Sequence, residues 1–370
     1  MLIGVPKETK IHEYRVGLTP SSVRELAVQG HQLLVQSGAG EGIGASDDDY
    51  ARAGATLVSS REAVFAQAEM IIKVKEPLES ERWLLREGQI LFSYLHLAPD
   101  PAQCADLIDS GALCIAYETV THPGGGLPLL APMSEVAGRM AVQAGAHHLE
   151  KAHGGLGVLL GGVPGVAPAK IVIIGAGVVG TNAAQIAVGT GAQVVIIDRS
   201  IDALRRIDHL LGARVMTLYS NRDNIEQQVL EADLVIGAVL IPGAAAPKLV
   251  TRDMLARMKV GAVVVDVAID QGGCFESSRP TTHADPTYVV DGVVHYCVAN
   301  MPGAVPRTST FALNNATLPF ILQIANLGWR DALKRNPHLM AGLNVASGKV
   351  TNREVARALG HAFTPPEALL

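Results

Sequence analysis

The sequence predicts an α/β protein with two domains, each built on a parallel sheet with crossover helices. Short apolar segments alternate with helical segments along most of the chain, which is the pattern of βαβ units. The chain has 370 residues, a length that suits two domains of ordinary size. A glycine-rich turn in the second half lies between an apolar strand and a helix, as in nucleotide-binding sheets.

That turn belongs to a complete dinucleotide-binding pattern, KIVIIGAGVVGTNAAQIAVGTGAQVVIID at 170–198. Gly175, Gly177 and Gly180 have G-x-G-x-x-G spacing. In such a unit they make a tight turn, let the main chain approach the pyrophosphate, and let the helix pack on the strand. Asp198 ends the next strand, about 20 positions on, where an acid binds the ribose hydroxyls. The pattern predicts a Rossmann domain that binds NAD in preference to NADP, although an arginine follows Asp198.

Composition argues against several classes of protein. Apolar residues make up 48% of the chain and charged residues 18%, which supports large cores and argues against disorder. The net charge is -5 without a lysine or arginine block, so nucleic acid and anionic membrane surfaces are poor candidate partners. Neither a membrane span nor a signal peptide is recognisable. We therefore expect a soluble cytoplasmic protein.

The cysteines and histidines predict neither a metal site nor a disulfide. No C-x-x-C pair occurs, and the four cysteines are expected to be buried thiols. His12, His147 and His148 are interpreted as surface or helix residues. No metal-ligand spacing is found.

The first part of the chain predicts one sheet with candidate functional residues at the ends of its strands. Strands are predicted at 2–5, 32–36, 70–74, 89–94 and 113–117, and helices at 21–29, 61–68 and 101–110. In open parallel sheets, functional residues lie beyond the carboxyl ends of the strands. Arg15, Lys75, His96 and Glu118 occupy such positions.

A glycine- and proline-rich segment at 121–132 predicts a domain boundary. A helix capped by Ser134 is predicted over 134–151, and the loop after it is interpreted as a flexible connection rather than a phosphate cradle. Helices are then predicted at 201–211, 224–231 and 252–258, and strands at 214–218, 233–239, 262–267 and 293–298. C-terminal helices at 309–327, interrupted by Pro319, and at 329–335 are expected to return to the first domain.

These elements predict a discontinuous first domain, 1–130 plus 305–370, completed by the C-terminal helices, and a nucleotide-binding domain, 131–304. We expect a cleft in which Arg15 binds a carboxylate, Lys75 polarises a carbonyl and His96 exchanges protons. Asp270, which follows a strand of the second domain, could reach the same space. Such a set suits hydride exchange at a carbon that bears a hydroxyl or amino group beside a carboxylate.

Several long motifs resemble those of the L-alanine dehydrogenase family. They are GVPKETKIHEYRVGLTP, IIKVKEP, LFSYLHLA, APMSEVAGRMA, GAGVVGTNAA, VVVDVAIDQGGCFESSRPTTHADP, VANMPGAVPRTST and GLNVASGKVTN. The resemblance covers the whole chain. It implies NAD-dependent oxidative deamination of L-alanine to pyruvate and ammonium, the reverse amination, and a homohexamer.

The resemblance also implies roles for individual positions. Arg15 and Lys75 correspond to residues that bind the substrate, with Met133 near the nicotinamide and substrate. His96 and Asp270 correspond to residues that act in proton transfer and in handling water or ammonia. The other positions assigned to the cofactor site are Ser134, Val178, Val239, Leu240, Ile269, Asn300 and Met301.

Two other functions remain open from the sequence. The nucleotide-binding subunit of proton-translocating transhydrogenase resembles the same motifs, and its partner is a membrane protein. A catalytically silent NAD-sensing protein would bind nucleotide without turnover. The presence of Lys75, His96 and Asp270 together with the loop YRVGLTP favours the dehydrogenase.

Overall fold

A computed structural model of the chain describes residues 1–239 and 246–370. The chain divides into two compact units. Unit 1 comprises Met1–Met133 and Val305–Leu370, and unit 2 comprises Ser134–Ala304. The predicted boundary at 130/131 lies slightly before the observed one.

Strands and helices alternate along most of the chain. The strands are β1 (Leu2–Val5), β2 (Gln32–Gln36), β3 (Ala55–Val58), β4 (Met70–Ile72), β5 (Ile90–Ser93), β6 (Leu113–Ala116), β7 (Lys170–Ile174), β8 (Gln193–Asp198), β9 (Val215–Tyr219), β10 (Leu234–Gly237), β11 (Val263–Asp266), β12 (Thr287–Val290), β13 (Val293–Tyr296), β14 (Leu343–Ala346) and β15 (Lys349–Val350). The α-helices are α1 (Pro20–Val28), α2 (Asp47–Arg52), α3 (Arg61–Gln67), α4 (Glu79–Arg82), α5 (Pro101–Ser110), α6 (Ala131–His148), α7 (Val178–Gly189), α8 (Ile201–Leu211), α9 (Arg222–Glu231), α10 (Arg252–Ala256), α11 (Pro306–Leu327), α12 (Trp329–Arg335), α13 (Pro337–Met340) and α14 (Arg353–Leu359).

Unit 1 contains a mixed sheet whose central part is doubly wound. Among the described residues the sheet has eight strands in the order β15-β14-β6-β5-β4-β1-β2-β3. β1 to β6 are parallel. β14 pairs antiparallel to β6, and β15 pairs antiparallel to β14. The C-terminal part of the chain therefore adds strands as well as helices, whereas helices alone were predicted.

Unit 2 has the Rossmann strand order. Within the described part of the chain, its seven strands follow the order β12-β13-β11-β10-β7-β8-β9, and only β12 is antiparallel to its neighbour. The order reverses between β7 and β10, and such a switch point opens a crevice at the carboxyl ends of the strands. The predicted α/β fold with two Rossmann-like domains is confirmed, but both sheets are mixed rather than purely parallel.

The strands are recognisable in the sequence because both faces of each sheet are covered. All residues of β5, β6, β10 and β11 are buried, and a continuous apolar run is typical of such strands. β3 and β12, which were not predicted, lie at sheet edges and are only partly buried. Their weaker apolar pattern explains why they were missed.

Two predictions about helices were wrong. Ser134 does not cap α6, because that helix begins at Ala131 with a proline in its first turn, where no intrahelical N–H is needed. Pro319 does not interrupt α11, which continues to Leu327. The burial of Leu313, Ile321 and Ile324 in the core of unit 1 anchors this helix on both sides of the proline.

The loop after α6, which was predicted to be a flexible connection, is hydrogen-bonded to other parts of unit 2. Gly157 N donates to Leu149 O (2.7 Å), and Leu156 N donates to Gly261 O (2.9 Å). A Cβ on Gly155 would lie 2.3 Å from His148 O, so the loop packs tightly against the end of α6. Among the described residues, no helix combines the length and apolar character needed to cross a bilayer.

Candidate functional site

Two predicted substrate-binding residues of unit 1, Arg15 and Lys75, and the predicted catalytic residue His96 follow neighbouring strands. Arg15 lies in the loop after β1, Lys75 follows β4 and His96 follows β5. These strands are adjacent in the order β5-β4-β1, and the strand order reverses between β4 and β1. The structure therefore places all three at the carboxyl edge of one sheet, beside its switch point.

The guanidinium group of Arg15 is held by a neighbour that was not predicted. Glu13 accepts hydrogen bonds from Arg15 Nε (2.7 Å) and Nη2 (2.5 Å), and Nη1 lies 3.1 Å from Met133 Sδ. Arg15 is only 2% exposed. Burial alone lowers the pKa of Arg15, but the hydrogen bond and charge of Glu13 outweigh it and raise the pKa. Glu13 thus orients a permanently charged fork, which also contacts the predicted site residue Met133.

A buried ionic network supports the main chain at Lys75. Lys73 Nζ lies 2.9 Å from Glu8 Oε2 and 3.2 Å from Glu81 Oε1, and all three groups are buried. Glu8 also accepts from the main-chain N–H groups of Val74 (2.7 Å) and Lys75 (3.3 Å). Burial lowers the pKa of Lys73, but the two carboxylates more than offset this and raise it. The network therefore holds the segment from which the half-buried Lys75 projects.

His96 adopts a left-handed backbone conformation that is rare for a residue with a side chain. Its φ is 49°, and its N–H donates to Glu118 Oε1 at 2.6 Å. Its ring stacks on Tyr94 with centroids 5.7 Å apart, and its side chain is 45% exposed. Glu118 therefore fixes the main chain at His96. An uncommon backbone conformation maintained by the surrounding structure is typical of functional positions.

Unit 2 provides a turn that could hold the diphosphate of a dinucleotide. Gly175 has a φ of 110°, and a Cβ on Gly180 would lie 1.8 Å from Gly175 O, so both positions require glycine for the fold. Gly177 is different. It is exposed at the N-terminus of α7, and a Cβ there would meet no described atom within 4 Å. This leaves space for a phosphate at a helix N-terminus, where N–H groups favour anions.

The carboxylate of Asp198 is held at the end of β8. Its Oδ2 accepts from Ala176 N (2.6 Å) and its Oδ1 accepts from Ser200 N (2.7 Å). A carboxylate has more acceptor sites than these two bonds use, so it could also bind a ribose diol. Together with Gly177 and the exposed Val178, the residues present fit a dinucleotide.

Asp270 lies in a loop organised by a buried acid. Asp266, the last residue of β11, accepts from Ala268 N (3.1 Å), Cys274 N (2.9 Å) and Ser278 Oγ (2.5 Å). Burial raises the pKa of Asp266 despite these bonds. The 3₁₀ helix Val267–Gln271 is thereby fixed, with Asp270 exposed.

The remaining predicted cofactor residues are distributed over unit 2. Asn300 has a φ of 64°, and its carbonyl oxygen lies 3.0 Å from a ring nitrogen of His283. Met301 begins the 3₁₀ helix Met301–Ala304, and Ile269 is buried beside Asp270. Ser134 lies near the start of α6, Val239 follows β10, and Leu240 lies outside the described residues.

Comparison with known proteins decides the family. The model of the alanine dehydrogenase/PNT N-terminal domain matches residues 4–137, and that of the alanine dehydrogenase/PNT C-terminal domain matches residues 141–353. The chain belongs to the alanine dehydrogenase/PNT family. An alanine dehydrogenase of Halomonas elongata is 61% identical over 370 residues, covering 100% of both chains. An alanine dehydrogenase of Mycolicibacterium smegmatis is 55% identical, covering 98% of both chains.

Solved structures of this family show the same fold. A structure of L-alanine dehydrogenase has a TM-score of 0.95 and 52% identity, covering 97% of this chain and 99% of that one. A transhydrogenase from Sinorhizobium meliloti has a TM-score of 0.81 and 25% identity, covering 95% of this chain and 99% of that one. Within the alanine dehydrogenase/PNT family, the chain is therefore more similar to the dehydrogenase than to this transhydrogenase.

Proposed function

We propose that this protein is an NAD-dependent oxidoreductase that converts L-alanine to pyruvate and ammonium and catalyses the reverse amination. The observation that carries the proposal is the placement of Arg15, Lys75 and His96 at the ends of three neighbouring strands of unit 1. An oriented guanidinium, an ammonium and an imidazole suit a small substrate with a carboxylate next to its reacting carbon. The full-length similarity to alanine dehydrogenases supports alanine as that substrate.

In the proposed mechanism, Arg15 binds the substrate carboxylate and Lys75 binds the carboxylate in alanine and the oxo group in pyruvate. When bound in unit 2, NAD would supply the acceptor for the hydride from the α-carbon of alanine with a neutral amino group. Asp270 stabilises the positive charge on the substrate nitrogen as the iminium forms. His96 accepts a proton from the water that attacks the iminium and returns it to the nitrogen of the carbinolamine. The C–N bond then breaks and the hydroxyl proton passes to the leaving nitrogen, which gives pyruvate and ammonium. Met133, which contacts Arg15, lines the substrate site.

The NAD site proposed in unit 2 comprises Gly175, Gly177, Gly180 and Asp198, together with the further positions Ser134, Val178, Val239, Leu240, Ile269, Asn300 and Met301. Gly177 supplies space at the N-terminus of α7 for the diphosphate, and Asp198 binds the adenosine ribose. We also propose a cytoplasmic location and a homohexamer on the basis of the family resemblance. Light scattering of the purified protein measures the subunit number directly.

Substitutions at the carboxylate clamp test the substrate assignment. Arg15→Lys keeps the charge but loses the planar fork, so it should raise the Michaelis constants for alanine and pyruvate together. Glu13→Gln should act in the same direction but less strongly, because Arg15 remains charged and loses only its charged partner. Steady-state kinetics measure both effects. NAD affinity, measured separately, should stay nearly unchanged, and normal alanine kinetics in Arg15→Lys would remove Arg15 from the site.

Removal of the Asp198 carboxylate tests cofactor choice. Asp198→Ala should weaken NAD binding. The free-energy preference for NAD over NADP should fall by roughly 1.5–3 kcal/mol, the value of a hydrogen bond to a charged group. The measurement is the ratio of kcat/KM for the two nucleotides. The Tm of the variant should be measured as well, because the substitution also removes the acceptor of the Ala176 and Ser200 N–H groups and so lowers stability. Equal use of NAD and NADP by the unmodified protein would refute the role of Asp198.

A transhydrogenase subunit is the second candidate, supported by the structural similarity to the Sinorhizobium meliloti protein. It would exchange hydride between nucleotides and would not act on amino acids. Turnover of alanine by the purified chain separates the two functions.

A further inference from the structure

A group of potential metal ligands lies at the C-terminal end of α6, outside the residues proposed for catalysis. His147 is in the last turn of the helix, Glu150 follows it, and His153 ends the short 3₁₀ helix Lys151–His153. His147 Nδ1 lies 3.8 Å from Glu150 Oε1, and His153 Nε2 lies 3.7 Å from Glu150 Oε2. One ligand atom from each residue lies within 4.8 Å of the others, and all three side chains are exposed.

The chemistry of this set matches a zinc ion. Two imidazoles and one carboxylate are a common zinc ligand set, with a fourth position for water. Metal–ligand bonds of about 2.0–2.2 Å in a tetrahedral site place ligand atoms about 3.4 Å apart. His147 Nδ1 and His153 Nε2 lie 3.8 and 3.7 Å from the two different oxygens of the Glu150 carboxylate, a few tenths of an ångström more than that separation. The three ligand atoms lie within 4.8 Å of one another, and the side chains are exposed, so they can rotate to close the site.

The surroundings also favour a cation. The carbonyl groups at the end of α6 carry partial negative charge, which attracts cations near a helix C-terminus. The rings of His147 and His153 lie with centroids 3.9 Å apart, so both imidazoles lie on the same side of the helix end. His148 packs against Tyr296 and donates from Nδ1 to Ala144 O (2.9 Å). These contacts of His148 hold the end of α6 beside the group.

The group lies at the opposite edge of the unit 2 sheet from the proposed nucleotide site. A Cβ on Gly145 of α6 would lie 2.5 Å from Leu234, the first residue of β10, and a Cβ on Gly154 would lie 3.6 Å from Val294 of β13. Both contacts are near the amino ends of parallel strands. Gly175 and Gly177, in contrast, follow the carboxyl end of β7. Binding at the group therefore does not use the proposed nucleotide residues.

We propose that His147, Glu150 and His153 form a zinc-binding site that ties the end of α6 to the loop that follows it. His147 belongs to the helix, Glu150 to the turn after it and His153 to the short 3₁₀ helix beyond, so the ion cross-links these segments and stabilises the folded state. The sequence had predicted no metal site. The spacing i, i+3, i+6 crosses a helix end, where regular helical geometry no longer predicts which side chains meet.

Zinc binding by the full-length protein tests the proposal. After treatment with a chelator, the protein is dialysed against zinc chloride and its metal content measured. We expect about one tight zinc per chain. His153→Gln and Glu150→Gln should each weaken binding at least tenfold, because changes to outer-shell partners alone cost about 10–100-fold. The control is His209→Gln, which removes an exposed histidine of α8 in the same unit and should bind zinc normally.

Thermal melting gives a second readout. Zinc should raise the Tm of the unmodified protein and of His209→Gln, because a ligand that binds only the folded state stabilises it. It should not raise the Tm of His153→Gln or Glu150→Gln, whose melting in the presence of chelator should match that of the unmodified protein. Absence of zinc binding by the unmodified protein overturns the proposal. So does unchanged zinc affinity in both ligand variants, or an equal loss of affinity in His209→Gln.

Discussion

Replacing His96 by alanine should lower the turnover number for alanine by about 10² to 10⁴, the usual contribution of a positioned acid–base group. The variant should still bind NADH, because the proposed nucleotide residues belong to unit 2 and His96 belongs to unit 1. Steady-state kinetics measure the loss, and NADH fluorescence measures the binding. A His96→Ala protein with normal turnover would exclude this residue from proton transfer.

Asp270→Asn provides the matched comparison, since it removes a charge at nearly constant shape. It should lower turnover to a similar extent. The double variant should be little worse than either single variant, because both residues are proposed to act in the same step. Fully additive losses would indicate that His96 and Asp270 do not share the catalytic step.

Gly177→Ala should weaken NAD binding at least tenfold while leaving the fold intact. The backbone at Gly177 has φ −76° and ψ −162°, which alanine adopts without strain, and its Cβ would meet no described atom within 4 Å. The added methyl group would instead occupy the space proposed for the diphosphate. We expect a normal Tm and at least a tenfold loss of NAD affinity, the scale of a lost charged contact of about 1.5–3 kcal/mol.

Two other glycines of the same turn and helix serve as controls. Gly180→Ala should destabilise the protein by more than the about 1–3 kcal/mol typical of overpacking, because its Cβ would lie 1.8 Å from Gly175 O. Gly189→Ala, near the end of α7, should be neutral or stabilise by up to about 1 kcal/mol without affecting NAD. If Gly177→Ala binds NAD normally, the diphosphate does not lie at this turn.

The main features of the fold, and the positions of the candidate site residues in it, could be predicted from local patterns. The apolar runs of β1 and β2 and the glycine turn before α7 are local signals, and the sheet order places Arg15, Lys75 and His96 on neighbouring strands. Their positions after the ends of strands are therefore the main reason that these residues could be selected as candidates.

The supporting residues could not be predicted in the same way. Glu8 contacts Lys73 across a sequence separation of 65 residues. In the segment IIKVKEP, nothing in the sequence distinguishes the buried Lys73 from the candidate site residue Lys75. Asp266 is buried and supports the Asp270 loop. Its position as the last residue of a strand does not show in the sequence that its side chain is buried. Such contacts depend on tertiary packing. The same reason explains why β14 was not predicted, because its pairing with β6 joins distant parts of the chain.

The rate of NADH formation from NAD and L-alanine by the purified protein is the decisive measurement for the proposed activity. We expect NADH to appear only when both are present, and pyruvate with ammonium to oxidise NADH in the reverse assay. Hydride exchange between two nucleotides without turnover of alanine would contradict the proposal in favour of a transhydrogenase subunit. Nucleotide binding without any turnover would contradict it in favour of an NAD-sensing protein.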